Sequence, residues 1–409
     1  MRPHSMATLL LAALLTSVLD ACGPETLNLA AFCNGSDQLD DTACLHAWID
    51  AGRAAPGKVL YAPPGTYLYN DPLTLYSGLK LRCADTSRVT FKNDSGTGLL
   101  FVATNAVHGL RIEDCSFDVN GSHENFLAVI SINPGGTEAS TKIQVRRNRF
   151  FDSAIPGTMS AEQRQYILLL NCQDCRVEHN HLSEGGRIKL GRPGRQLVIR
   201  NNTVEQANDN AITVVDVGAG VSQQIEIKHN TVVNPKGVGI FLGADGEGQT
   251  DPTLTAHDIV VERNQIEGDW LTACILGTLP AITRIIRIRY NTCVKTGTQG
   301  PYRSGIAIKR TNGAAQRATD IRVDHNSIRS SLTWAPGSPS PLELGGIFFS
   351  GSFDQVRVEN NKITNVAPRA MFFHVVDITA ARIVHNTMIG GGMVIEGVVQ
   401  GEVGPNTSM

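Results

Sequence analysis

The chain has 409 residues, is 42% apolar and carries a formal net charge of −2. So small a charge gives no basic field of the kind that holds nucleic acid, and nucleic acid is excluded as an expected partner. The apolar fraction can fill a continuous core, and 40 glycines against 6% aromatic residues suit a chain that turns often.

The N-terminus reads as an export address rather than part of the fold. Arg2 and His4 precede an apolar run from Met6 to Leu19, too short to span a bilayer. It ends in Leu19-Asp20-Ala21-Cys22-Gly23, which resembles a bacterial lipoprotein signal, with Cys22 the lipidated residue and new N-terminus. Asp20 departs from the small residue usual there. An ordinary secretory signal cut near Ala21 is the alternative, and both readings export the protein. Membrane association is expected only through a lipid anchor at Cys22. The expected division is a signal peptide over 1–21, a cap with the first strands over 22–78, coils over 79–400 and a tail over 401–409.

Nine cysteines leave one over in an oxidising compartment. With Cys22 lipidated, eight remain, and Cys33 with Cys44 and Cys83 with Cys115 are the expected pairs. Cys175 and Cys293 fall at core-facing positions, where a buried thiol and a disulfide are equally open. Cys172-Gln-Asp-Cys175 has redox-motif spacing but lies among strands, without the βα context that chemistry uses. No spacing of Cys and His reads as a zinc site, and no metal ligand is assigned.

Asp40-Asp41-Thr42 then reads as a helix start. Cys44, Ala47, Trp48 and Ala51 follow at i, i+3, i+4 and i+7, an expected apolar face. Lys58 to Leu68 is a strand, a Pro-Gly turn and a second strand. Beyond it one phrase recurs: apolar, any, apolar, two residues, Asn, any, apolar. It places Asn148, Asn180, Asn202, Asn230, Asn264, Asn291, Asn326, Asn361 and Asn386, with Asp114 standing in earlier. The alternation is that of a strand with one face buried, and Asn suits a left-handed corner whose amides bond coil to coil. His179, His229, His325 and His385 sit beside this Asn and read as corner residues. A second strand follows in most coils, as in Arg187–Gly191, Ala211–Val215 and Gly239–Gly243. The fold expected is all-β: a single-domain right-handed parallel β-helix solenoid of about ten or more coils with an N-terminal capping helix.

Asp40-Asp41-Thr42-Ala43 followed by Val59-Leu-Tyr-Ala-Pro-Pro-Gly-Thr-Tyr67 resembles the N-terminal signature of the pectate-lyase-like superfamily. The Gly-Asp-Gly that usually precedes it is absent. The resemblance implies a β-helix of the kind used by polysaccharide lyases, polygalacturonase-type hydrolases, uronan epimerases and phage tailspikes. These motif residues cap the fold and perform no chemistry.

Long stretches at 152–165, 244–257, 296–303, 310–319 and 331–344 are expected to wall a lateral groove suited to an extended polymer. Arg187 and Lys189 alternate with Ile188 and Leu190, so both are expected to point outward, with Arg192 in the next turn. Asp209 and Asp216 flank the strand one coil later, and Asp245 follows another coil on. Uronate β-elimination needs a neutraliser for the carboxylate, a base for the C5 proton and a donor to the leaving oxygen. Arg187, Lys189 and Arg192 supply such groups, and Asp209, Asp216 and Asp245 could hold Ca²⁺. Phe241, Lys309 and Arg310 are further expected substrate contacts. The function expected is action on an extended, uronate-containing polysaccharide by lyase or epimerase chemistry. A glycoside hydrolase using paired carboxyls and a non-catalytic glycan- or surface-binding β-helix are the alternatives. Ordinary cross-coil ion pairs would produce the same charge pattern.

Overall fold

A typical repeat resolves into three strands, as in Ile188–Gly191, Arg195–Arg200 and Thr203–Glu205, and in the C-terminal coils the first two run together, as in Ile347–Glu359. A computed structural model describes residues 26–36, 39–94, 100–121, 128–132, 138–154, 165–191, 194–215, 221–243, 255–279, 282–296, 304–310, 317–330, 345–364 and 369–409. Every strand pairs in parallel with its counterpart one coil on: Ile188 with Ile212, Leu197 with Ile225, Val204 with Val232. The solenoid therefore has three faces, called here first, second and third in that order. The first two merge into one 24-stranded sheet, and the third is a 13-stranded sheet of its own. Residues 401–409, expected as a tail, belong to the last coil, where Thr407–Ser408 pairs with Thr387 and Met388.

Inward residues stack in columns along the axis. On the third face an aromatic column of Tyr67, Phe91, Phe117 and Phe150 has successive ring centroids 4.9–5.8 Å apart, and Tyr166 from the first face stacks on Phe150 at 5.8 Å. Aliphatic residues continue beyond Phe150 as Leu182, Val204, Val232 and Ile266, each fully or nearly fully buried. Burial of each such side chain contributes about 1.5–3 kcal/mol before conformational entropy is charged against it.

The corner between second and third faces holds the asparagines in one buried file. Each donates its backbone N–H and a side-chain N–H to Oδ1 of the next, at 2.9–3.1 Å, from Asn148 through Asn386 to Asn406. The second side-chain N–H donates to a carbonyl of the coil before, as Asn230 does to Ile199. The residue preceding the Asn, not the Asn itself, takes the left-handed conformation: Arg147, His179, Asn201 and His229 have φ of 53–57°. The corner histidines thus have a backbone role. Asp114 is not in the file. Its φ of 63° puts it at the left-handed position, paired with Arg147, and Cys115 is the residue that donates to Asn148.

The helix Thr42–Ala54 lies over the first coil, its buried face made by Leu45, Trp48, Ile49 and Gly52. This is one position round from the expected face, because Leu and Ile bury more area than Cys44, Ala47 and Ala51. Trp48 donates its indole N–H to the carbonyl of Leu27, and a side chain at Gly52 would collide with Leu60 and Tyr76. Asp40 accepts from the Thr42 N–H and hydroxyl, while Asp41 reaches across to the Leu68 N–H. The expected disulfides Cys33–Cys44 and Cys83–Cys115 are present. The other four cysteines pair as Cys172–Cys175 and Cys274–Cys293, which settles the open alternative at Cys175 and Cys293.

Candidate functional site

The corners single out one face. At the asparagine corner the second face passes to the third through only two residues, from Glu178 to His181, Arg200 to Thr203 and Lys228 to Thr231. The corners bordering the first face vary widely, from none at all, where Ile347–Glu359 runs on unbroken into the second face, to the stretches from Gly243 to Thr255 and from Ser330 to Ile347. Only the first face is flanked by long connections on both sides. The second face instead carries matched charges, with Arg146 on Glu113, Arg200 on Glu178 and Arg382 on Glu359 at 2.7–2.8 Å.

Register defines what the first face presents. Ile188, Ile212, Ile240, Ile275, Ile306 and Ile347 form an inward column, fully buried. Their neighbours form the outward column Leu168, Lys189, Thr213, Phe241, Leu276, Ala307, Phe348, Phe372 and Val394. A second outward column, two residues further along each strand, runs Gly243, Thr278, Lys309, Ser350, His374 and Glu396.

The half nearer the N-terminus is polar. Lys189 is outward and half-buried, as alternation requires. Arg187 immediately precedes the strand but is only 7% exposed, and its guanidinium is paired with Asp209 from the next coil. It is therefore a floor residue rather than a solvent-facing one, because it crosses a coil to its partner. Its Nε and the hydroxyl of Thr213 are both buried without a hydrogen-bond partner. Arg192, Asp216 and Asp245 lie outside the described residues. Asp209, the described member of the expected calcium set, engages its carboxylate with Arg187. Among the described residues the one close group of potential metal ligands is Cys33, Asp41 and Cys44, whose sulfurs are joined in a disulfide.

The other half is apolar. Leu276, Ala307, Phe348 and Phe372 are buried outside the sheet and form a small cluster of their own, with Phe241 and Val394 packed at its ends. Lys309 holds its ammonium 5.9 Å from the Phe348 ring centroid. Arg310 is nearly buried and donates to the carbonyl of Ser352, and burial pushes its guanidinium pKa down. From the Lys189 coil to the Ala307 coil is four steps of about 4.8 Å, or about 19 Å. Lys309 and Arg310 cannot act on the same atom as Lys189, although one extended chain could touch both. Sequence reading marks Phe241 and Phe348 as outward aromatics but missed Thr213, Phe372 and the cluster that joins the phenylalanines. Strand alternation marks Thr213 as outward, but the cluster needs the cross-coil register.

Residues 76–251 match the family described as right handed beta helix region. No curated protein sequence matches the chain. Among solved structures it is similar to the A-module of a mannuronan C-5 epimerase from Azotobacter vinelandii, with 15% identity and a TM-score of 0.58 over 93% of this chain and 99% of that one. It is also similar to PfbA, a surface adhesin of Streptococcus pneumoniae, with 13% identity and a TM-score of 0.56 over 92% of each. A family 28 exopolygalacturonase of Yersinia enterocolitica gives 11% identity and 0.56 over 95% of this chain and 78% of that one. The protein is a right-handed parallel β-helix. At these identities the likeness concerns the fold alone.

Proposed function

We propose that this protein is an exported enzyme that binds an extended, uronate-containing polysaccharide along its first face and removes the C5 proton, giving β-elimination or epimerisation. The observation that carries the reading is the pairing of a buried, charge-compensated Arg187 with outward Lys189 on the one face flanked by long connections. On binding, the Arg187 guanidinium would exchange its contact with Asp209 for the substrate carboxylate, neutralising it and so acidifying C5–H, and Lys189 would take the proton. The similar structures include a uronan epimerase and an exopolygalacturonase, which supports a polysaccharide as the partner. A hydrolase would need two carboxyls about 5–9.5 Å apart. Among the described residues, Asp209 is engaged with Arg187 and the first-face carboxylate of Glu396 lies six coil steps from the Thr213 strand, about 29 Å. Four disulfides support an oxidising compartment, and pairing of all eight described cysteines leaves Cys22 for lipid.

A second reading, glycan binding without turnover, is favoured by the Arg187–Asp209 contact itself, which is also what an ordinary cross-coil ion pair looks like, and by the likeness to a surface adhesin. Incubation with a panel of uronans in heavy water separates the two. Exchange of the C5 proton, with or without the ultraviolet absorbance of an unsaturated product, is the expected result, and Lys189→Ala should slow it about 100-fold while polymer binding persists. Binding without exchange on any uronan would establish the second reading, and new reducing ends without unsaturation would establish a hydrolase.

A further inference from the structure

We propose that Ser350, His374 and Glu396 form a second, serine-esterase site at the C-terminal end of the first face, removing small O-acyl groups. That the acyl groups are carried by a polysaccharide rests on the function proposed above; the hydrolytic chemistry does not.

The three residues lie in direct register on consecutive coils, Ser350 opposite His374 and His374 opposite Glu396, all in the second outward column. Adjacent coils are about 4.8 Å apart, so the three side chains are immediate neighbours. His374 Nδ1 is 3.1 Å from Glu396 Oε2. With Nδ1–H donated to that carboxylate, Nε2 keeps its lone pair, and the coil on the other side of His374 presents the Ser350 hydroxyl. A nucleophile, a base and a carboxylate that orients the base thus follow one another along the axis.

The backbone beside them is irregular in the way such chemistry uses. Gly351 follows Ser350 with φ of 114°, and pairing shifts directly after it, because Val376 is an extra residue between Val375, opposite Gly351, and Asp377, opposite Ser352. A second shift falls between His374 and Asp377 on the next coil. Bulges release N–H groups from the ladder and re-aim side chains, which supplies donors for a developing oxyanion.

In the reaction, Ser350 Oγ bonds to the acyl carbon as its proton passes to His374 Nε2. The intermediate collapses, breaking the bond to the sugar oxygen, which leaves with the proton from Nε2. Water then attacks the acyl-serine, giving a proton to Nε2, and collapse releases the carboxylic acid and restores Ser350. The balance is ester plus water to alcohol plus acid.

The test is covalent labelling of the full-length protein with a fluorophosphonate, read by intact mass and peptide mapping. One adduct on Ser350 is expected, absent from Ser350→Ala. With p-nitrophenyl acetate and an acetylated glycan, His374→Ala should lower kcat about 100-fold or more. Glu396→Gln should lower kcat with KM unchanged, which a merely structural contact would not do. All three side chains are at least partly exposed, so the variants should melt as wild type does. No adduct on the wild type, or wild-type hydrolysis by Ser350→Ala, overturns the proposal. Labelling needs no polysaccharide, so it is read independently of whether any uronan is turned over.

Discussion

Replacing Asn230 by Leu removes one rung from the middle of the asparagine file. The Asn230 side chain accepts from the backbone and side-chain N–H groups of Asn202, both at 3.0 Å, and donates to the carbonyl of Ile199 at 3.0 Å and to Oδ1 of Asn264 at 2.9 Å. Leu keeps the backbone N–H that also reaches Asn264, so Asn264 retains one donor. Two donors of Asn202 and one bond to Ile199 are lost in a site where Asn202 and Asn230 are each 1% exposed. At the lower edge of about 1 kcal/mol per buried group left unsatisfied, the loss is about 3 kcal/mol. Urea unfolding followed by circular dichroism measures it, with Asn406→Leu as control, since that terminal rung is only part-buried and should cost less. A change below about 0.5 kcal/mol at Asn230 would mean that the file carries no net stability.

Three further outcomes follow from the cap, a buried phenol and the leader. Trp48→Ala removes a fully buried indole and its bond to Leu27, and should cost about 3–5 kcal/mol, seen as an early loss of structure in the first coils by hydrogen exchange. Burial, with the Asp41 carboxylate adding to it, raises the Tyr67 hydroxyl to about 12, above its unfolded value of about 10. The native state therefore favours the protonated phenol, so stability is intact below pH 10 and falls as pH rises toward 12, and Tyr67→Phe should flatten that part of a melting profile. Cys22→Ala should release the protein from the membrane fraction; a soluble wild-type form with an unmodified N-terminal peptide would show an ordinary secretory signal instead.

The fold was legible because a single corner repeats. Nine asparagines with apolar residues at fixed offsets report strand, turn and buried face together, however long the rest of each coil is. At its edge the phrase misled. Asp114 looked like a rung because it is polar, whereas the offset that matters falls on Cys115, whose side chain is in a disulfide. The helix face slipped by one place because small residues and large ones were weighed alike. The candidate site was legible only within strands. Alternation makes Lys189 outward, but nothing in the sequence says that Arg187 turns back to Asp209. Nor does it say that Ser350, His374 and Glu396 align, since their separations depend on connections that do not repeat.

The two-residue asparagine corner also governs how such a scaffold can change. A residue inserted there would break the file and turn the third-face strand that follows inside out, so variation is accommodated in the connections that border the first face. Lineages and engineers alike are free to lengthen, delete or exchange those segments while every rung stays in place. New specificity can then accumulate along one wall of the solenoid without any renegotiation of its interior.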